Sequence, residues 1–164
     1  MVTLNFITLL ISIGVLYSLR WMQNIFLSIE KITYYMVIVV AIEQIHSAIL
    51  DNYKLLEFSE ALSAFFFYKM NQLIIFPIAT MWLLFSFFHS KPRLLLKMLI
   101  LGIWFACLIE SYMLFEILGI VKFTGWNFGY AIVVWYIVLV ESLCFSLLFR
   151  KMLGKCDHHD IVSP

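Results

Sequence analysis

Charge is scarce in this chain. Asp, Glu, Lys and Arg make up 13% of its 164 residues, while 64% belong to the set Ala, Val, Ile, Leu, Met, Phe, Trp, Tyr and Cys. An ordinary soluble domain carries about 25% charge and roughly 45–50% apolar residues, so a soluble globular protein is excluded. Glycine (6), proline (3) and cysteine (3) are also few, against 16 Phe, 8 Tyr and 5 Trp, and the mean hydropathy is +1.00. No disordered tail, collagen-like fibre or disulfide-rich secreted scaffold carries so much apolar surface. A polytopic membrane protein remains.

Familiar catalytic signatures are lacking too. The sequence has no Gly-rich phosphate loop, no Gly-x-Ser-x-Gly elbow, no His-Glu-x-x-His helix and no basic patch for nucleic acid. Enzymes built on those motifs are disfavoured, whereas one assembled from scattered membrane carboxylates is not touched by the argument.

A spanning helix needs about 20 mostly apolar residues, because the hydrocarbon core is roughly 30 Å thick and each helical residue rises about 1.5 Å. Five stretches qualify, at about 2–19, 32–50, 70–88, 94–117 and 128–149, which predicts an all-α transmembrane bundle forming one domain over residues 1–164. The first lacks the basic start and small-residue cleavage pattern of a secretory signal before Arg20 and Trp21, so it reads as a retained helix. Neither terminus resembles a lipid-attachment motif. Basic residues of short loops stay on the cytoplasmic side. Arg20, Lys31, Lys91, Arg93, Lys97, Arg150, Lys151 and Lys155 fall on one side, and only Lys54, Lys69 and Lys122 on the other. The N-terminus is therefore expected outside and the C-terminus, with a mobile tail over 151–164, in the cytoplasm.

Residues 59–88 also read as one helix, about 45 Å long and too long for the core without strong tilt. A break near Lys69 is preferred, with 55–68 as a short interfacial segment and the third span starting at Met70. Pro77 lacks a backbone donor and frees the carbonyl of Leu73, which either offers an extra acceptor or marks a packing kink. Small-residue steps at Gly14 and Ser18, Gly102 and Ala106, and Ser142 and Ser146 predict helix contacts. On that basis the face carrying Gly102, Ala106 and Glu110 is expected to point into the bundle.

An ionisable side chain inside a bilayer costs at least about 2.5–3.5 kcal/mol, so it asks for a partner or a wet cavity. Glu43 lies in the second expected span, Glu110 in the fourth and Glu141 in the fifth, with His46 and Ser47 extending the face of Glu43. Lys69, Asn71 and Gln72 enter with the third span, and Asn5, Thr8 and Ser12 line the first. These polar groups converge on the outer half of the bundle. An outward-facing pocket of Glu43, His46, Glu110, Glu141, Asn71, Gln72 and Asn127 is the expected site for a small polar ligand, a lipid head group or a proton.

Other readings stand beside it. Glu43-x-x-His46 has the spacing with which carboxylate bundles present two metal ligands, making Glu43, His46 and Glu110 a mononuclear metal candidate. A metal-dependent or acid/base enzyme acting on a lipid or isoprenoid would use Glu43 or Glu110 as acid or base and His46 as ligand or shuttle. A structural subunit would keep Glu43 and Glu110 protonated, or paired with His46 or Lys69, to join helices. The run Cys156 to Asp160 gathers thiol, imidazole and carboxylate but lacks the second ligand pair of a zinc site. Cys107 and Cys144 read as small apolar residues, and no disulfide is expected. No cofactor is called for. The expected partners are the bilayer and either a second copy or another membrane protein, because so short a chain makes no complete transporter alone.

The run from Glu110 through Glu116, Gly119, Lys122 and Gly125 to Trp126-Asn127 resembles a family of small multi-spanning membrane proteins of Gram-positive spore-forming bacteria. There a late-span Glu precedes a Gly-containing outer loop and a Trp-Asn pair at the start of the last span. The organisation matches over nearly the whole chain, including the Arg20-Trp21 exit and the Lys91-Pro92-Arg93 joint. The resemblance implies five helices in a bacterial plasma membrane, no assigned activity, and Glu110, Trp126 and Asn127 as the matching positions. Trp126 also suits an outer aromatic belt, and Asn127 suits the cap of the last helix.

Overall fold

The structure, a computed structural model, describes residues 2–49, 53–89 and 94–157. Five helices dominate: α1 (Val2–Ser18), α2 (Ser28–Ser47), α3 (Leu62–Phe88), α4 (Leu94–Ile117) and α5 (Phe128–Asp157). A 3-10 turn at Leu19–Asn24 follows α1. Four helical stretches, Thr3–Gln23, Leu62–Phe88, Leu94–Ile117 and Phe128–Gly154, are long and apolar enough to cross a membrane. α2 has the length as well, and its charges Glu30, Lys31 and Glu43 set it apart. Two of those three meet a partner, as shown below.

Helix directions follow from pairs far apart in sequence. Asn5 donates to the Ser63 carbonyl and Trp82 to the Ser18 hydroxyl, so α1 and α3 run parallel. Glu30 meets Arg150 and Tyr34 reaches the Ser146 carbonyl, so α2 and α5 are antiparallel. Lys97 at the start of α4 bonds the Phe87 carbonyl, while Phe115 near its other end packs on Phe67 and Tyr68, so α3 and α4 are antiparallel. Arg20, Lys31, Lys97, Arg150 and Lys151 thus sit towards one end of the bundle, and Lys54, Lys69 and Lys122 towards the other.

The break expected near Lys69 is absent. α3 runs through it for 27 residues, about 40 Å at 1.5 Å per residue, with one π turn at Asn71–Ile75. The extra residue of a π turn and the missing donor of Pro77 loosen the ladder without ending it. The Tyr35 hydroxyl donates to the Leu73 carbonyl at 2.8 Å, satisfying the acceptor that Pro77 leaves. That interhelical bond is why the helix tolerates its proline.

The expected interfacial segment is in part a strand. β1 (Leu56–Phe58) pairs antiparallel with β2 (Val121–Phe123), opposing Leu56 to Phe123, Glu57 to Lys122 and Phe58 to Val121. Leu56 and Val121 point into the core while Glu57 and Lys122 stay exposed, the period-two pattern of a half-buried ribbon. Gly119 delivers the chain from α4 into β2. At φ +66° it closes the helix with bonds from Gly119 N–H to the Glu116 carbonyl and from Ile120 N–H to the Phe115 carbonyl. That is a Schellman turn, and buried Ile120 and Phe115 supply its apolar contact.

α5 extends past its expected end at 149 as far as Asp157. The tail residues 158–164 and the joint 90–93 lie outside the described residues, as do the side chains of Cys156 and Asp157. The core is aromatic, with Trp135, Tyr34, Tyr68, Tyr112, Phe26 and Phe115 fully buried. Outward faces of α1 and α4 carry exposed Leu, Ile and Phe such as Phe6, Leu10, Leu95, Leu99 and Ile103. A helix exposing apolar residues on its outer face is built for hydrocarbon, not water.

Candidate functional site

His46 is the centre of the strand end. Its ring is 1% exposed, with Nδ1 2.7 Å from the Ile42 carbonyl and Nε2 2.7 Å from the Tyr112 hydroxyl. A carbonyl only accepts, so Nδ1 carries the proton and Nε2 accepts from Tyr112. Tyr112 stacks near-parallel to the imidazole at 6.0 Å between centroids, and Tyr68 and Trp135 approach at 6.0 and 6.3 Å. Both nitrogens are therefore held by protein groups within an aromatic box.

Glu43, one turn before His46, points elsewhere. Lys69 Nζ donates to its two carboxylate oxygens at 3.0 and 2.9 Å, an α2–α3 ion pair about one-third exposed. This is one of the pairings considered from sequence. Glu110 is exposed and lies in a hollow with Cys107 and Ser111 on α4. The Gly102 and Ala106 face turns outward with it, correcting the inward placement expected above. The buried face of α4 is instead Trp104, Leu108, Tyr112 and Phe115, because large rings fill the space between helices. Gly14 is likewise exposed, and of the three small-residue steps only Ser142 with Ser146 is buried.

The remaining called residues scatter. Glu141 is exposed beside Gln44 in a groove between α2 and α5. The Asn71 amide bonds the Phe67 carbonyl on its own helix. Gln72 is 1% exposed, and neither of its amide atoms has a partner among the described residues; the same holds for the Ser12 and Tyr68 hydroxyls. Because α1 and α3 run parallel, Ser12 stands near the level of Gln72. Glu43, His46 and Glu110 do not assemble: among the described residues no three His, Cys, Asp or Glu side chains are placed to hold a metal. The shared i and i+3 face of Glu43 and His46 is divided between two neighbours, Lys69 of α3 and Tyr112 of α4.

Behind Tyr112 opens a cleft of about 310 Å³ between α4 and α5. Tyr112, Glu116, Phe123, Trp126, Asn127 and Phe128 line it with Ile109, Met113 and Ala131. The Schellman turn and β2 swing Phe123 across the end of α4, and Trp126 packs on Tyr112 at 5.3 Å between centroids. Asn127 Oδ1 accepts the Tyr130 N–H at 3.1 Å, capping α5 and fixing the chain where it enters the helix. Glu116 is exposed, with no ion pair or side-chain hydrogen bond among the described residues. From the seven called residues, Asn127 lines this cleft and His46 supports its floor. Tyr112, Glu116, Phe123 and Phe128 escaped sequence reasoning. Glu116 lies six residues beyond Glu110, and only the strand that follows brings aromatic rings round it.

The opposite end holds a second polar centre. Glu30 is 4% exposed and accepts from Leu27 N–H at 2.8 Å, Tyr34 hydroxyl at 3.1 Å and Arg150 Nε at 2.9 Å. Arg150 also donates to the Ile25 carbonyl at 2.7 Å, its guanidinium 4.1 Å from the centroid of Phe88 and 5.2 Å from that of Phe26. Both carboxylate oxygens of Glu30 and two of the three guanidinium nitrogens of Arg150 have partners, as a staple requires. Set against protein-family models, curated proteins and solved structures, the chain matches none.

Proposed function

We propose that the protein is a bacterial plasma-membrane protein of five spans, N-terminus outside, that binds a small ligand or lipid head group in the cleft between α4 and α5. The observation carrying this reading is the cleft itself: an exposed carboxylate and four aromatic rings around a hollow whose floor, Tyr112, is pinned by the buried His46. Ligand pockets measure about 300–1,000 Å³ and combine apolar walls with a few convergent polar groups, a description this hollow meets at its small end. α2 becomes the fifth span because Glu30 and Glu43 are paired with Arg150 and Lys69, which lowers the cost of carrying them into the bilayer. Orientation is supported by the gathering of Arg20, Lys31, Lys97, Arg150 and Lys151 at one end. On that orientation the cleft opens to the outside. The bacterial membrane rests on the resemblance over Glu110 to Asn127.

The test is native mass spectrometry of the chain released from its own membrane. A bound small molecule or lipid is expected on the wild type and absent from Met113→Trp, where a half-exposed lining residue is enlarged to fill the cleft. Identical spectra for the two would remove the cleft as a binding site.

A further inference from the structure

We infer that the cleft between α4 and α5 selects a methylated ammonium group, with Glu116 as its counter-charge and the rings of Tyr112, Phe123, Trp126 and Phe128 as its walls. The inference rests on the cleft being a ligand site and names the ligand's chemical class. Glu116 is the single charged residue among those lining the hollow; it stands at the boundary with a neighbouring hollow that it lines together with Glu57 and Lys122, and no ion pair joins it to Lys122 among the described residues. Anionic ligands are disfavoured on the same geometry. No cation is among the residues lining the hollow, and Asn127 takes up the Tyr130 N–H at the start of α5.

Aromatic faces carry negative potential and attract a cation held within about 6 Å of the ring centroid, worth about 0.5–1 kcal/mol per ring when exposed and about 2 when desolvated. A quaternary ammonium suits such walls better than a primary one. It has no N–H to satisfy, and its methyl groups are content against rings, so one carboxylate suffices for charge. Trp126 is 8% exposed and Tyr112 is 2% exposed, so these two rings form the sheltered wall, while Phe128 is open at the rim. The size of the cleft admits a head group and not a whole lipid.

Calorimetry of the full chain in detergent tests this with choline and with its neutral isostere, in which a tert-butyl group replaces the trimethylammonium. Choline is expected to bind roughly tenfold more tightly than the isostere, and Glu116→Gln to erase that preference. Glu116→Gln should melt with the wild type, since Glu116 has no side-chain hydrogen bond or ion pair to lose among the described residues. Phe128→Leu, at an exposed rim position, is expected to weaken choline about two- to fivefold with the fold intact. Repeating the titration in phosphatidylglycerol nanodiscs with and without phosphatidylcholine separates the sources. Choline binding that survives phosphatidylcholine assigns a soluble cation, and binding abolished by it assigns a lipid head group. Equal affinity for choline and isostere, unchanged in Glu116→Gln, would overturn the cation and leave a site for uncharged ligands. Failure of both probes also overturns it, and the native mass comparison with Met113→Trp then decides separately whether the cleft binds anything.

Discussion

The two ends of the bundle treat their polar residues differently. At the end bearing Arg150, the Glu30 carboxylate is buried and receives three donors, and the guanidinium lies between two phenyl rings. At the strand end, Glu43 and Lys69 share a pair open to the surroundings, Glu116 is the one charged residue lining the cleft, and Gln72 is buried without partners among the described residues. A buried carboxylate whose oxygens are all taken up fixes geometry and leaves nothing over for a ligand. Unspent polar groups beside a hollow do the opposite. The Arg150 end is therefore the staple of the bundle, and the strand end is where binding chemistry is kept available.

The sharpest way to break this contrast is Arg150→Met, which leaves the Glu30 charge buried with only the Leu27 N–H and the Tyr34 hydroxyl as donors. A loss of about 3–5 kcal/mol is expected in denaturant unfolding of the purified chain, with Glu30→Gln in the same molecule restoring a large part. Equal stability of Arg150→Met and wild type would dissolve the distinction between the ends. Tyr112→Phe comes next. It removes the donor to His46 Nε2 and leaves a buried acceptor unpaired, a cost of about 1–3 kcal/mol that the same unfolding curve reads.

Gly119→Ala tests the turn that carries the chain from α4 into β2. Apart from its chain neighbours, no described residue comes within 4 Å of the added Cβ, so the expected loss of about 1 kcal/mol comes from the left-handed backbone. Gly119→Asn, which tolerates that backbone better, should recover part of it in the same melt. Smallest of all is Glu43→Gln. The pair with Lys69 is about one-third exposed, and such pairs contribute about 0–1 kcal/mol, so its unfolding midpoint should barely move. A shift as large as that of Arg150→Met would make the strand end a staple too.

Legibility from sequence followed the range of the interaction. Helical character, Asn127 as the cap of α5 and the release of the Leu73 carbonyl by Pro77 all depend on residues within one or two turns. Each has its counterpart in the structure. The break near Lys69 does not: it is expected from length alone, and α3 runs on through Lys69, which pairs with Glu43 of another helix. The strands escaped notice because three residues on each side show no period until they are paired. The cleft escaped as well: of the residues lining it, only Asn127 stood among the expected site residues, and Trp126 read as a belt residue.

Helical content, apolar length and the clustering of basic residues at alternate joints are properties of composition and local periodicity, so the sequence alone determines them. Which way a polar residue points is another matter. Glu43 and His46 share a helix face, and Glu110 sits beside small residues. Even so, α3 claims the first, Tyr112 of α4 claims the second, and the third faces outward. Those outcomes depend on how large rings such as Trp104, Tyr112 and Trp135 fill the space between helices, a condition on the whole packing that no single helix expresses.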